Sequence, residues 1–383
     1  MAVTMNWQRT ASIQKLSIFM VACISLATIT ARAALAANVI VGVNVMGVDQ
    51  IGDAQQEALA QQLQDNGVKT IRTALGGHGD RYTSFVIKAH QHGIGSVILV
   101  SPFADNTKKH ALPADASAGH PWGLPALQDA DPDGFSKWFA PELAKLEAAG
   151  VRLVAFEAGN EINSSPFNAD VAGPGAGRVL TLADLNYPND QQGRAVAAGY
   201  GAYLKILAAL KNLRDHSELN KTTPIISGVS AWWGAPDQPK YAAMTGASMN
   251  GSIEFLRQNG LDKLVDGYAV HLYSSSDPHR SHAQRVAFLG AGFTECRHDT
   301  KPCWVTEWAY NNANRSCPID DSLRLRLVHD ERGAYKEFAD QGRLAALMYY
   351  SWSGEYIGQK ESPGTLFRCG ALTDAGKLAL SPF

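Results

Sequence analysis

Two rhythms of apolar and polar residues alternate along the chain. From Val39 onward, short apolar runs are separated by longer segments in which apolar residues recur every three or four positions. The runs read as strands buried on both faces, and the longer segments as amphipathic helices. Val39–Val45 is the first strand, and Asp53–Gln64 the first helix, closed by Asn66-Gly67 as a left-handed cap. Lys69–Leu75, Gly95–Val100, Arg152–Ala158, Pro224–Val229, Gly267–Leu272, the stretch holding Glu307, and Ala345–Tyr350 supply seven more strands. Helices are expected over Tyr82–His92, Gly134–Ala149, Gln191–Arg214, Met249–Gln258, Ser281–Gly290 and Ser322–Gln341. Eight parallel strands joined by right-handed crossovers close into a (β/α)₈ TIM barrel whose βα loops share one face. An open doubly wound sheet is the alternative. It would want a Gly-x-Gly-x-x-Gly turn after the first strand, whereas Gly42-Val43-Asn44-Val45-Met46-Gly47 falls within the strand itself.

Three connections break the rhythm: Ser101–Asp133, Asn163–Asp190 and Ala309–Asp321. Long irregular loops in a compact domain are usually functional, and these lie on the substrate side of the expected barrel. The glycine-rich piece Ala172–Arg178 lacks Gly-Lys-Ser/Thr and joins no strand to a helix, so it is not a phosphate loop.

The first 36 residues fall outside the barrel pattern. Arg9 and Lys15 precede a short apolar run, Leu16–Thr28, and small residues stand at Ala31-Arg32-Ala33 and Ala34-Leu35-Ala36. This reads as a cleaved secretory signal, leaving residues 37–383 as a single domain that is secreted or periplasmic, with no membrane contact once the signal is removed. The apolar run is shorter than the ~20 residues a spanning helix needs.

Composition narrows the chemistry. With 34 basic and 36 acidic residues the net charge is −2, so no basic patch argues for nucleic acid and neutral substrates fit best. At 45% hydrophobic and 18% charged the chain is globular. Four cysteines follow the signal: Cys296, Cys303, Cys317 and Cys369. In an oxidising compartment they read as two disulfides, and of the three connectivities Cys296–Cys303 with Cys317–Cys369 is preferred. Their spacing lacks Cys-x-x-Cys and the first strand end, Asn44–Asp49, offers no histidine, so neither a metal nor another cofactor is expected.

Two strand ends carry candidate acids. VRLVAFEAGNEIN (Val151–Asn163) delivers Asn160 and Glu161, and KPCWVTEWAYN (Lys301–Asn311) delivers Glu307 between Thr306 and Trp308. His271-Leu272-Tyr273 lies on the strand between. Two carboxylates converging at one barrel mouth suit glycoside hydrolysis, in which one protonates the leaving oxygen and the other attacks or activates water.

With Arg72 on the second strand, Trp232 and Trp233 after the fifth and Trp352 after the eighth, this set resembles the clan A, or 4/7, retaining (β/α)₈ glycoside hydrolases, with families 39 and 5 nearest. Where family 39 usually has Trp-Asn-Glu-Pro, this chain has Gly159-Asn160-Glu161-Ile162. The resemblance implies Glu161 as acid/base, Glu307 as nucleophile held ionised by Arg72 and Tyr273, and Asn160 on the sugar 2-hydroxyl. It implies His271 on substrate or a carboxylate, and Trp352 beneath the sugar, with Trp232, Trp233 and Trp308 as further aromatic contacts. The activity implied is double displacement on an oligo- or polysaccharide. Transglycosylation by the same mechanism and a non-catalytic carbohydrate-binding barrel remain alternatives, and the oligomeric state is open.

Overall fold

The computed structural model describes residues 39–76, 79–103, 107–110, 124–171, 178–231, 246–274, 276–297, 301–312, 316–354, 358 and 364–383. The signal segment, Trp232 and Trp233 lie outside the described residues. Eight parallel strands form a closed barrel: β1 (Ile40–Asn44), β2 (Thr70–Leu75), β3 (Gly95–Val100), β4 (Ala155–Ala158), β5 (Ile225–Ser227), β6 (Gly267–His271), β7 (Cys303–Trp308) and β8 (Leu344–Tyr349). Each pairs with its sequence neighbours and β8 closes onto β1, with Ile40 opposite Ala346 and Val43 opposite Tyr349. Around it pack α1 (Asp53–Asp65), α2 (Gly79–Gln91), α3 (Pro132–Ala148), α4 (Gln191–Asp215), α5 (Met249–Gln258), α6 (His282–Gly292) and α7 (Ser322–Asp340). Helix α8 (Asp374–Ala379) follows the barrel and packs on α7.

Local chemistry sets these boundaries. Asp131 caps α3 by accepting from the Asp133 amide, with Pro132 at the first helical position, where its missing N–H costs nothing. Ser281 and Gln284 form a reciprocal capping box on α6. Helix α2 starts at Gly79, three residues before its expected start at Tyr82, and β4 is confined to Ala155–Ala158 within the longer apolar run.

The core has two parts. Outward-facing strand residues join the helices in one large cluster. Inside the barrel, below the mouth, Val97, Ala155, Ile226, Ala269, Trp304, Ala346 and Met348 form a separate plug. Trp304 fits there because β6 presents Gly267, where an added Cβ would lie 2.7 Å from the indole. The plug gives the mouth a solid apolar floor.

The described parts of the long loops include short paired segments. Lys109–His110 pairs with Leu124–Pro125, and Val179–Leu180 with Gly246–Ala247. A short helix, Leu182–Asn186, stands inside the connection expected to be irregular, because Thr181 and Asp184 cap it reciprocally. Both disulfides join the expected partners, Cys296–Cys303 and Cys317–Cys369. The second ties the loop after β7 to the segment after β8. No described helix is long and apolar enough to cross a membrane.

Asp170, in the loop after β4, holds the loop after β3 in place: its Oδ2 accepts from the Gln128 amide at 3.1 Å. Its Oδ1 is buried without a hydrogen-bond partner. Burial, with Asp129 nearby, pushes its pKa to about 6, against the opposing pull of the Gln128 and Leu127 amides and His110. The fold therefore prefers the protonated acid. Its contribution to stability is full below about pH 4 and is lost as pH rises through about 6. Asp170→Asn is accordingly expected to raise stability at pH 7 by on the order of 1–2 kcal/mol and to change it little at pH 4. Urea midpoints of variant and parent at the two pH values measure this, and an equal difference at both would refute it.

Candidate active site

The site starts from the parallel register of the barrel. Asn44 on β1 lies opposite Arg72 on β2, and His271 on β6 opposite Glu307 on β7, where a bulge between Val270 and His271 adjusts the register. Side chains alternate along a strand, so Arg72, Glu157, His271 and Glu307 enter the barrel while their neighbours pack against helices.

Arg72 is the centre of this layer. It has no exposed surface, and all five of its N–H donors are used. Nε and Nη2 bind Glu157 at 2.5 and 2.9 Å, Nη1 binds Asn44 Oδ1 and Glu307 Oε1 at 2.8 Å each, and Nη2 also reaches Asn160 Oδ1 at 2.8 Å. Burial alone would lower the guanidinium pKa, but the charges of Glu157 and Glu307 outweigh it and raise it above its ordinary value. Glu157 completes its shell through Thr306 Oγ1 at 3.0 Å, and Asn44 Nδ2 donates to the Thr306 carbonyl at 2.9 Å.

Glu307 thus receives Arg72 on one oxygen. The Tyr273 hydroxyl donates to the other at 2.6 Å. Burial first, then the charge of Glu307, holds the Tyr273 phenol well above its usual pKa, so it remains a donor. The residue after Tyr273 is anchored: Ser274 Oγ meets Tyr310 Oη at 2.5 Å, and Tyr310 is gripped by the buried pair Arg285 and Glu331 at 2.8 and 2.9 Å.

Glu161 stands across the gap. Gly159 precedes it with φ +82°, and Glu161 itself adopts φ +43°. A left-handed conformation costs a non-glycine residue on the order of 1–3 kcal/mol, and such outliers gather at functional sites. The turn is held because the Glu161 amide donates to Ser230 Oγ at 3.0 Å and the Ile162 amide to the Gly228 carbonyl at 3.1 Å. His271 Nδ1 lies 2.9 Å from Glu161 Oε1 and 3.5 Å from Glu307 Oε2, so one ring nitrogen spans both carboxylates. Ligand atoms of Glu161, His271 and Glu307 all lie within 4.8 Å of one another. Among the described residues this is the one trio of acidic, histidine or cysteine side chains close enough to share a cation.

Arg72, Asn160, Glu161, His271, Tyr273 and Glu307 therefore converge on one mouth. Two tryptophans expected there do not. Trp308 is 1% exposed, its ring edge-on to Tyr335 and Tyr349, because it follows Glu307 on the strand and faces the helices. Trp352 has no exposed surface. Its amide donates to the Asn44 carbonyl at 2.9 Å, its indole stacks on Phe367, and Nε1 donates to Gln62 on α1 at 2.9 Å. The residue after β8 that senses the site is Tyr350. It is 38% exposed, and its phenol is raised by burial and then by Glu307, with Arg72 opposing and Glu161 adding.

Tyr350, Glu157 and Asn44 were not singled out from the sequence. Glu157 left a signal: a lone charge inside an apolar strand buried on both faces must have a partner, and Arg72 is the cation at strand depth.

No family model matches the sequence, and no curated protein matches it. Solved structures similar in fold include an endo-β-1,4-mannanase from Thermotoga petrophila (TM-score 0.53, 13% identity, covering 90% of this chain and 76% of that one). A family 5 xyloglucanase from Paenibacillus pabuli matches with TM-score 0.52 at 12% identity over 90% and 98% of the two chains. The virulence factor SghA from Agrobacterium tumefaciens matches with TM-score 0.50 at 13% identity over 92% and 99%. At these identities the likeness is one of fold, and the chain is a (β/α)₈ barrel along its described length.

Proposed function

We propose that this protein is a retaining glycoside hydrolase of clan A type, exported from the cytoplasm, that cleaves O-glycosidic bonds in a neutral oligo- or polysaccharide. The observation that carries this reading is that a carboxylate oxygen of Glu161, just past β4, and one of Glu307, on β7, lie within 4.8 Å of each other at one mouth. Carboxyl pairs of retaining enzymes lie ~5–5.5 Å apart and those of inverting enzymes ~6.5–9.5 Å, because the latter must admit a water. The fold likeness to enzymes named as a mannanase and a xyloglucanase supports the substrate class.

In the first step Glu307 attacks the anomeric carbon and forms an ester bond as the glycosidic C–O bond breaks. The departing oxygen takes the proton carried by Glu161. In the second, Glu161 removes a proton from water, the water oxygen bonds to the anomeric carbon, and Glu307 leaves as a carboxylate. Arg72 and Tyr273 each donate to Glu307 and aim it at the sugar, and His271 holds Glu161 in place. Asn160, its Oδ1 fixed by Arg72, presents its Nδ2 to the 2-hydroxyl, a bond that strengthens in the transition state. Tyr350 offers the aromatic face beneath the ring under attack. The two disulfides fit an oxidising compartment, consistent with the signal-like leader.

Hydrolysis followed by proton NMR tests the reading. The first anomer released is expected to keep the configuration of the bond cleaved, whereas an initially inverted product would exclude Glu307 as nucleophile.

A further inference from the structure

Asn160 also lines a cavity of about 180 Å³ on the side of β2 and β3. Its walls are Leu75 and Leu99 from the ends of β2 and β3, Phe103 beyond them, and Ile162 and Phe167 from the loop after β4. Gly159 lets these walls meet: a Cβ there would lie 2.8 Å from Ile162 Cγ2 and 3.6 Å from Pro102. Ser101 and Asn160 are the polar side chains of this lining. The Ser101 hydroxyl is turned onto the backbone of Phe103, accepting from its amide at 3.3 Å. Asn160 Oδ1 is held by Arg72, which leaves the Asn160 Nδ2 group, at the border with the catalytic centre, as the free donor among the lining side chains described.

This lining discriminates between occupants. A further sugar ring would bring several hydroxyls into a space whose lining side chains offer one unengaged donor, and each hydroxyl left unpaired costs about 1–3 kcal/mol. An apolar ring carries no such penalty. A cavity of ~150 Å³ lined by Leu, Ile and Phe is large enough to take benzene. Phe167, 36% exposed at the rim, adds an aromatic face against which a flat ring can pack.

We infer that this cavity is a subsite for an uncharged aryl group carried by the glycoside next to the bond that is cleaved. The attachment to a sugar rests on the glycosidase reading, whereas the preference of the cavity for an aromatic ring does not. The ring has two sources, an aryl aglycone on the leaving side or an aromatic acyl ester on the sugar that is retained.

Benzyl alcohol, followed by saturation-transfer NMR on the full chain, probes the cavity directly. Saturable binding is expected in the parent, abolished in Leu99→Trp, which fills the space, and weakened at least about fivefold in Phe103→Ser, which alters only the half-buried wall. Absence of saturable binding, or binding that neither variant changes, would overturn the subsite. Kinetics separate the sources. An aglycone subsite makes benzyl glycosides better substrates than methyl glycosides by about tenfold in kcat/KM, at similar leaving-group basicity. An ester subsite gives that preference to methyl glycosides bearing a benzoyl ester, and equal rates on all three overturn the proposal. Benzyl alcohol binding without hydrolysis of any glycoside would leave the subsite standing and remove the glycosidase reading.

Discussion

If the proposed double displacement holds, Glu307→Ala is expected to abolish turnover, with a loss on the order of 10⁴-fold or more, because the group assigned to form the covalent bond is gone. Glu161→Ala is expected to behave differently. With a 4-nitrophenyl glycoside the leaving group needs no proton, so the glycosyl ester still forms and a burst of nitrophenolate appears. Its hydrolysis then lacks a general base, which is worth about 10²–10⁴-fold, and the steady state is slow. With an alkyl glycoside both steps need Glu161 and the burst disappears. The contrast between the two leaving groups follows from the geometry. Glu307 receives Arg72 and Tyr273, both donors, which suit a carboxylate that must stay ionised, whereas Glu161 makes its one side-chain bond to a titratable imidazole. Equal residual rates for the two variants on both substrates would refute the assignment, and a burst in Glu307→Ala would reverse it.

Arg72→Met is expected to cost stability as well as activity. The substitution leaves Glu157, which has no exposed surface, with Thr306 Oγ1 as its remaining side-chain partner. Removing one member of a buried ion pair typically costs about 3–5 kcal/mol, mostly the penalty of the charge left behind. The loss appears as a lower urea midpoint with little change in slope. Adding Glu157→Met removes that stranded charge, so the double variant is expected to recover much of the midpoint. Turnover is not expected to return with it, since Glu307 and Asn160 still lack the guanidinium that holds them. Recovery of stability without activity separates the positioning role of Arg72 from its part in the fold. A double variant that regained parental kcat/KM, or a single variant with an unchanged midpoint, would sink this account.

Both experiments depend on a layer of the barrel that the chain discloses unevenly. Glu161 and Glu307 could be picked out because each lies near the carboxyl end of an apolar run, where a barrel strand meets its loop. Arg72 and His271 also sit on apolar runs, and a charge there is conspicuous. Glu157 sits on such a run as well, yet with Glu161 only four residues on, it passed as part of the strand. What distinguishes it is its contact with Arg72, 85 residues away in sequence, and no local pattern carries that. The aromatic residues failed for a related reason. Tyr350 and Trp352 are two residues apart just beyond β8, and which ring turns toward the mouth depends on where the chain goes after the strand ends. The Trp352 amide binds the end of β1 and its indole is taken up by Gln62 and Phe367, so Tyr350 is left at the opening.

The order of strands and helices, the barrel and the two strand-end acids were written in the local sequence, since alternation and helical spacing report the face each residue must bury. The cysteine pairing was one preference among three connectivities until the structure brought Cys296 to Cys303 and Cys317 to Cys369. The tertiary structure alone decided which side chains share the mouth, because ring closure brings β1, β2, β4, β6 and β7 together from positions up to 263 residues apart. It also decided which tryptophans were spent on packing, since an indole buries equally well against a sugar or against a helix, and only its neighbours in space determine which.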